Sequence, residues 1–410
     1  MTVRLDKVPA PAPSPKLPSI WIWLLLCLLC LVLGLGLTLW WDNESLGQQS
    51  DRFWLTAVGL PFLAWCLLGC LRAMIYLCEV ARAEGWDQAR EEDLSQKIRR
   101  GRRSQQVLAV SLHTALREPQ AQDGQAQLSA LLSGKSALRV QPSWEESLVR
   151  HSYLSREGVD SPEQLLLRAL KMVLTELATT LAELPADRPL TLFLQANSPV
   201  SEMDMHDIWQ QAWRASGIKQ KVTRLDDSGL AAVDRWLDHR IHDQALFLVV
   251  ALQVGPSLSE EATESVVGLL FGNRLTQNTL APLAYLHRPE QEREATTEDL
   301  DYAVRQALDW ASLGAEAVRH VWLSGICPER RAAVATVLSQ TSIPVKTGHG
   351  LHDIQASLGL PGILAPWLAI ASAVDAIRRS GQTHLVLSGE DIADTRVWCT
   401  VLVPTSSSST

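Results

Sequence analysis

Two apolar runs, residues 20–41 and 53–71, stand close together near the start of this 410-residue chain. Each approaches the ~20 residues that a helix needs to cross a bilayer. Nothing comparable follows, and the remainder reads as ordinary globular sequence. The chain is therefore expected to be a soluble domain on a two-helix transmembrane hairpin.

Basic residues set the expected orientation, because cytoplasmic flanks collect Lys and Arg. Arg4, Lys7 and Lys16 precede the first run, and Lys97, Arg99, Arg100, Arg102 and Arg103 follow the second. The loop between the runs carries Asp42, Glu44 and Asp51 against Arg52. Both ends should face the cytoplasm, which describes a two-helix protein of a bacterial inner membrane. Trp21, Trp23, Trp40, Trp41 and Trp54 sit near the run ends, where an indole buries its face and keeps its N–H wet. A cleaved signal peptide is disfavoured by the long Pro-rich leader and the lack of a small-residue cleavage site before Trp40. Arg72 and Glu79 mark the exit into a stalk.

A formal net charge of -8 argues against a nucleic-acid footprint. The basic cluster from Lys97 to Arg103 is the exception, and its place beside the membrane suggests anionic lipid head groups as its partner. Five cysteines, Cys27, Cys30, Cys66, Cys70 and Cys78, lie in or beside the hairpin; the soluble part holds Cys327 and Cys399, so no disulfide framework is expected. On a lipid-buried helix the Cys27 and Cys30 pair reads as small apolar side chains rather than a redox motif.

The expected organisation is a Pro-rich leader (1–19), the hairpin (20–77), a basic stalk (78–104), a globular domain (105–404) and a disordered Ser-rich tail (405–410). Strands are expected at 107–112, 190–195, 245–252, 318–323, 383–387 and 397–403. Helices are expected at 124–133, 161–183, 202–215, 229–239, 261–270, 297–313, 328–339 and 362–380. Ser161 followed by Pro162 and Glu163 is a helix-start signal. The alternation describes an α/β domain.

A weak internal repeat sharpens this. A helix with Arg168, Ala169 and Leu170 leads into Leu190-Thr-Leu-Phe-Leu, and one with Arg305, Gln306, Ala307 and Leu308 leads into His320-Val-Trp-Leu. Each half then closes with an Ala-rich helix feeding a strand: Ala231-Ala-Val-Asp234 before Leu246-Phe-Leu-Val-Val, and Ala373-Val-Asp-Ala376 before His384-Leu-Val-Leu. Two related halves should meet near residues 255–300 and pack into one layered domain.

Leu128-Ser-Ala-Leu-Leu-Ser-Gly-Lys-Ser136 and Leu358-Gly-Leu-Pro-Gly-Ile-Leu-Ala365 resemble segments of the thiolase-like fold, in particular the β-ketoacyl synthases. The resemblance spans about residues 105 to 404 and implies duplicated αβ halves. It also implies a Cys nucleophile at a strand-to-helix turn and two histidines. Aligning Gly229-Leu-Ala-Ala-Val233 with the helix behind that cysteine puts Asp226, near Ser228, at the nucleophile position. Neither is a thiol, which acyl transfer of this kind requires. The first histidine position reads Ser324-Gly-Ile326, and the second falls on Ile354, or on His352 with one inserted residue. Lys346 matches the family's lysine. The resemblance thus implies a degenerate triad and a pseudoenzyme that needs no cofactor or metal.

Other motifs point less far. Gly134-Lys-Ser136 lacks the first Gly of a phosphate-binding loop, with Ser129 in its place. His349, His352 and Asp353 lack a further ligand at metal spacing. His239 and His242 suit a helix C-terminus. No Gly-x-Ser-x-Gly elbow occurs, and the acidic run from Glu290 to Asp301 reads as a solvated loop and helix start.

Three functional expectations follow. The first is an inactive adaptor or scaffold for a protein partner, with the architecture resembling accessory components of type VI secretion that hold effectors. The second is a divergent acyltransferase or hydrolase using Ser228 or Ser324 with His352 as base. The third is an acyl-lipid binder, unless Trp322, Trp367 and Trp398 fill its cavity. The resemblance also implies a route to a homodimer, through central strands near the duplication.

Overall fold

The structure is a computed structural model describing residues 3, 5, 7–41, 51–118, 123–144, 148–156, 158–159, 161–255, 261–390 and 394–405. Residues 42–50 of the loop between the two apolar runs, and tail residues 406–410, lie outside the described residues. The chain divides into two compact units, one covering residues 4–98 and the other residues 99–410 with the first three.

In the N-terminal unit, Ile20–Trp41 is helical, and a second helical run spans Arg52–Gly101 with a π-helical turn at Leu55–Gly59. Both are long and apolar enough to cross a bilayer. Leu24, Leu28, Leu63 and Leu67 stay more than half exposed within this unit, as lipid-facing side chains would. The two runs approach closely at Gly34, where a Cβ would overlap Pro61 and the Ala57 carbonyl. Trp65 Nε1 donates to the Trp23 carbonyl at 3.0 Å. The leader runs along the stalk helix. Pro9 and Ala10, part of a segment whose prolines lack N–H donors, offer carbonyls to Arg90 Nε (2.7 Å) and Trp86 Nε1 (3.1 Å).

The larger unit contains β1 (Ser104–His113), β2 (Arg139–Pro142), β3 (Leu148–His151), β4 (Leu190–Asn197), β5 (Val222–Arg224), β6 (Leu246–Gln253), β7 (Ser265–Asn273), β8 (Ala284–His287), β9 (Glu290–Gln291), β10 (Val318–Ser324), β11 (Lys346–Thr347), β12 (Gly350–Asp353), β13 (Thr383–Ser388) and β14 (Trp398–Pro404). β2 and β3 form a separate hairpin, and β9 pairs with β14. The remaining strands run β11-β12-β10-β13-β14-β8-β1-β7-β6-β4-β5.

The duplication is visible in that order. The first half reads β5-β4-β6-β7-β1 and the second β12-β10-β13-β14-β8. Counting strands within each half, both are 3-2-4-5-1. The fifth strand is antiparallel to both of its neighbours. β1 and β8 pair antiparallel and join the halves.

Three apolar cores separate the layers. The central core holds helices Gly229–His239 and Ala365–Ser380 against the inner sheet faces, including Phe193, Phe247, Phe271, Trp322, Val386 and Leu402. The first half's outer face is covered by Pro162–Leu181 and Glu202–Ser216, and the second's by Thr297–Ala311 and Pro328–Gln340. Each of the two central helices feeds a strand, β6 or β13, as the repeat predicts. Ser161 caps Pro162–Leu181, its side chain accepting the Gln164 N–H.

Four expectations change. Residues 261–270, expected to be helical, instead supply β7. Every residue of β7 is buried, with Val267, Leu269 and Phe271 facing the central core and Val266 and Leu270 the outer one. A strand buried on both faces shows no polar alternation, so its apolar run is ambiguous in sequence. Gly268 lies under Val173 and Leu177, where a Cβ would clash.

The acidic run is not uniformly solvated. Glu290 and Glu292 are buried, and Glu292 accepts from Arg330 Nη2 at 2.5 Å and from the Val397 N–H at 2.7 Å. The basic cluster is not uniformly free for lipid either. Arg100 Nε bonds Asp238 at 2.6 Å, and Arg103 Nη1 caps the Leu237 carbonyl at 2.8 Å, while Arg99 and Arg102 are exposed. Finally, β7 and β8, beside the duplication, are paired on both sides within the chain, which closes them to pairing with a second copy.

Candidate functional site

The carboxyl ends of the parallel strands and the N-terminus of helix Gly229–His239 frame the candidate site. Between β5 and this helix lie Asp226, Asp227 and Ser228. Asp226 is exposed and sits 3.6 Å from Arg224 Nε. Asp227 turns inward to pair with Arg235 and accepts the Ser228 N–H at 2.7 Å. Ser228 occupies the cap position with extended backbone, yet its hydroxyl makes no cap bond.

The cap comes from far along the chain. A carboxylate oxygen of Glu390 accepts the Leu230 N–H, and its other oxygen accepts from Trp398 Nε1 at 3.1 Å. Gly229 makes room for this side chain: its φ is +39°, and a Cβ would overlap the Glu390 carboxylate. Burial pushes the Glu390 carboxyl above its ordinary range, against the pull of the Leu230 N–H and the Trp398 indole. Sequence reasoning missed Glu390, because nothing local in Ser388-Gly389-Glu390 announces a contact with residue 230.

Ser324 ends β10 and pairs in register with Ser388, which ends β13. Both are fully buried, and neither hydroxyl has a hydrogen-bond partner. They lie two residues beyond Trp322 and Val386, so strand alternation turns them toward the central layer. The Gly389 N–H donates to the Ser324 carbonyl at 3.0 Å, tying the strand end to the segment carrying Glu390.

The two candidates for the second histidine part company. Ile354 is 1% exposed and belongs to the central core. His352 pairs in register with Trp322, about 7 Å along the strands from the level of Ser324. His352 Nε2 lies 3.0 Å from His320 Nδ1. Its Nε2 thus pairs with His320, while the Ser324 hydroxyl has no hydrogen-bond partner. Burial, then the neighbouring His320, lowers the His352 pKa to about 4.

His320 and His384 complete a stacked imidazole group that the sequence reading did not assemble. Their centroids are 4.5 Å apart, and Trp322 Nε1 donates to His384 Nδ1 at 2.9 Å. The signal was present in the repeat, since β10 and β13 each carry a His near their start. Burial lowers the His384 pKa to about 2.

Lys346, in β11, and His349, in the turn that follows it, are exposed. Asp353 bonds Arg331 at 2.7 Å and caps the Ala356 N–H at 3.1 Å. Among the described residues no group of three or more His, Cys, Asp and Glu side chains is arranged to hold a metal ion. Burial raises the pKa of both Cys327 and Cys399, which disfavours the thiolate. Gly134 adopts φ +68° in an exposed turn beside a groove of about 540 Å³ that also touches His352. Trp322, Trp367 and Trp398 are buried in the central core, and Trp367 Nε1 bonds Gln195 at 2.8 Å.

No protein-family description matches the chain, and no curated protein is detectably related to it by sequence. Solved structures are similar in fold. The ishigamide ketosynthase/chain length factor superposes with a TM-score of 0.52 at 13% identity, covering 73% of this chain and 99% of that one. A type II polyketide acyl-carrier protein complex with its ketosynthase bound to the hexaketide gives 0.51 at 11% identity, covering 74% and 99%. An oxazolomycin ketosynthase domain of Streptomyces albus gives 0.51 at 10% identity, covering 74% and 75%. The larger unit has a thiolase-like fold of the ketosynthase kind. At these identities the likeness concerns the fold and not the chemistry.

Proposed function

We propose that this protein is a catalytically inactive, membrane-anchored thiolase-like scaffold that binds another protein. One observation carries the reading. The helix terminus that the ketosynthase resemblance assigns to a nucleophilic thiol is flanked by Asp226, Asp227 and Ser228 and is closed by the Glu390 carboxylate. A hydrogen-bonded carboxyl plug disfavours a thioester carbonyl at that place. The core helices and sheets that remain make a rigid platform, and the apolar hairpin supplies an anchor, proposed to lie in a bacterial inner membrane with both ends cytoplasmic.

The partner class suggested by this architecture is an effector of type VI secretion, held at the membrane before export. The test is affinity capture from the source cell with the full chain in detergent, beside an Asp226→Ala/His352→Ala variant. The same specific partners should appear with both. Loss of every partner from the variant would return the old pocket to the centre of function, and absence of any partner would sink the scaffold reading.

A further inference from the structure

We propose that the N-terminal end of helix Gly229–His239, together with Trp398, is a carboxylate-binding site that the chain fills with its own Glu390. The inference deepens the closed-pocket reading and rests on it. Three other helices here, starting at Pro162, Glu202 and Thr297, are capped by the Ser or Thr immediately before them. Helix Gly229–His239, eleven residues long, has Ser228 in that place but does not use it. Its donor goes to a side chain 160 positions away.

The arrangement has the form of a receptor. One carboxylate oxygen meets the Leu230 N–H and the other the Trp398 indole N–H, so each oxygen has its own donor. Gly229 removes the Cβ that would fill the space. Ser324 and Ser388 add two fully buried hydroxyls without partners on the sheet face turned toward this layer. The donors and the space belong to the helix and the sheets, whereas the occupant, Glu390, lies two residues beyond the end of β13. A Glu390→Ala variant should keep the receptor and lose the occupant, and a free monocarboxylate should then bind in its place.

The test uses the full chain in detergent and thermal unfolding. Glu390→Ala is titrated with sodium acetate, and separately with acetamide and sodium chloride at matched concentration and ionic strength. Acetate should raise the Tm of the variant saturably, by about 2–4 °C more than either control. Wild type and Glu390→Gln, whose side chains occupy the site, should show no such increment. If Glu390→Ala folds only with additive, recovery in acetate and not in acetamide is the expected result. An acetate response no larger than that of wild type, or no recovery in acetate while Glu390→Gln folds, overturns the proposal. Separately, an acyl adduct on wild type after exposure to an acyl thioester would defeat the closed-pocket reading without deciding the acetate result.

Discussion

Arg288 and Asp238 pair at 2.6 Å with both side chains fully buried. Asp238 lies near the C-terminal end of helix Gly229–His239, where the dipole disfavours a carboxylate. Arg288 offsets this, pairing also with Asp234, and Arg100 approaches Asp238 from the chain entering β1. Burial would raise the Asp238 carboxyl, but the Arg100 and Arg288 guanidiniums outweigh it and hold it low. The central helix is thus fixed at one end by arginines and at the other by Glu390.

Replacing Arg288 with Met leaves two buried carboxylates without their shared partner. The expected loss is about 3–5 kcal/mol, the range for breaking a buried ion pair from one side. Denaturant unfolding of the full chain in detergent checks it. A triple replacement of Arg288, Asp234 and Asp238 by apolar residues should cost less than Arg288→Met alone.

Glu290 gives stability a signed pH dependence. Burial raises its pKa to about 7 despite the Trp310 indole hydrogen bond at 3.2 Å. The folded state therefore holds this proton more tightly than the unfolded chain does. Its contribution is present at low pH and is lost as pH rises through 7. Stability relative to Glu290→Gln should fall by about 2 kcal/mol between about pH 5 and about pH 8. A flat difference across that range would contradict the assignment.

His384 acts in the opposite sense. Its folded pKa, about 2, lies below that of an unfolded histidine, so its contribution is present above the ordinary histidine pKa and lost as acid protonates the unfolded chain. In His384→Asn, where Oδ1 can accept from Trp322, the acid limb should be shallower by about 1.4 kcal/mol per pH unit below about pH 6.

Gly268→Val tests the two-sided burial of β7. The added side chain meets Val173 and Leu177 on helix Pro162–Leu181, and overpacking of this kind costs about 1–3 kcal/mol. Equal stability of this variant and wild type would mean that the helix sits farther from the strand.

Much of the architecture was legible because it is local. Alternating strand and helix patterns gave the six expected strands, and the Ala-rich helices before Leu246 and His384 exposed the duplication. β7 was misread because burial on both faces erases the two-residue period. Glu290 and Glu292 looked solvated because charge in a sequence says nothing of a buried partner such as Arg330. The site was least legible. Counting from Gly229 reached Asp226, but the side chain that closes the helix end is Glu390, set by tertiary packing alone. His352 was located, while its partners His320 and His384 needed the strand register to bring them together.

The central claim is that this helix end carries no working nucleophile. Intact-mass spectrometry of the full chain, after incubation with an acyl thioester in detergent, tests it most directly. The account predicts an unchanged mass. A stoichiometric acyl adduct mapped to Ser228, Ser324 or Cys327 would contradict it.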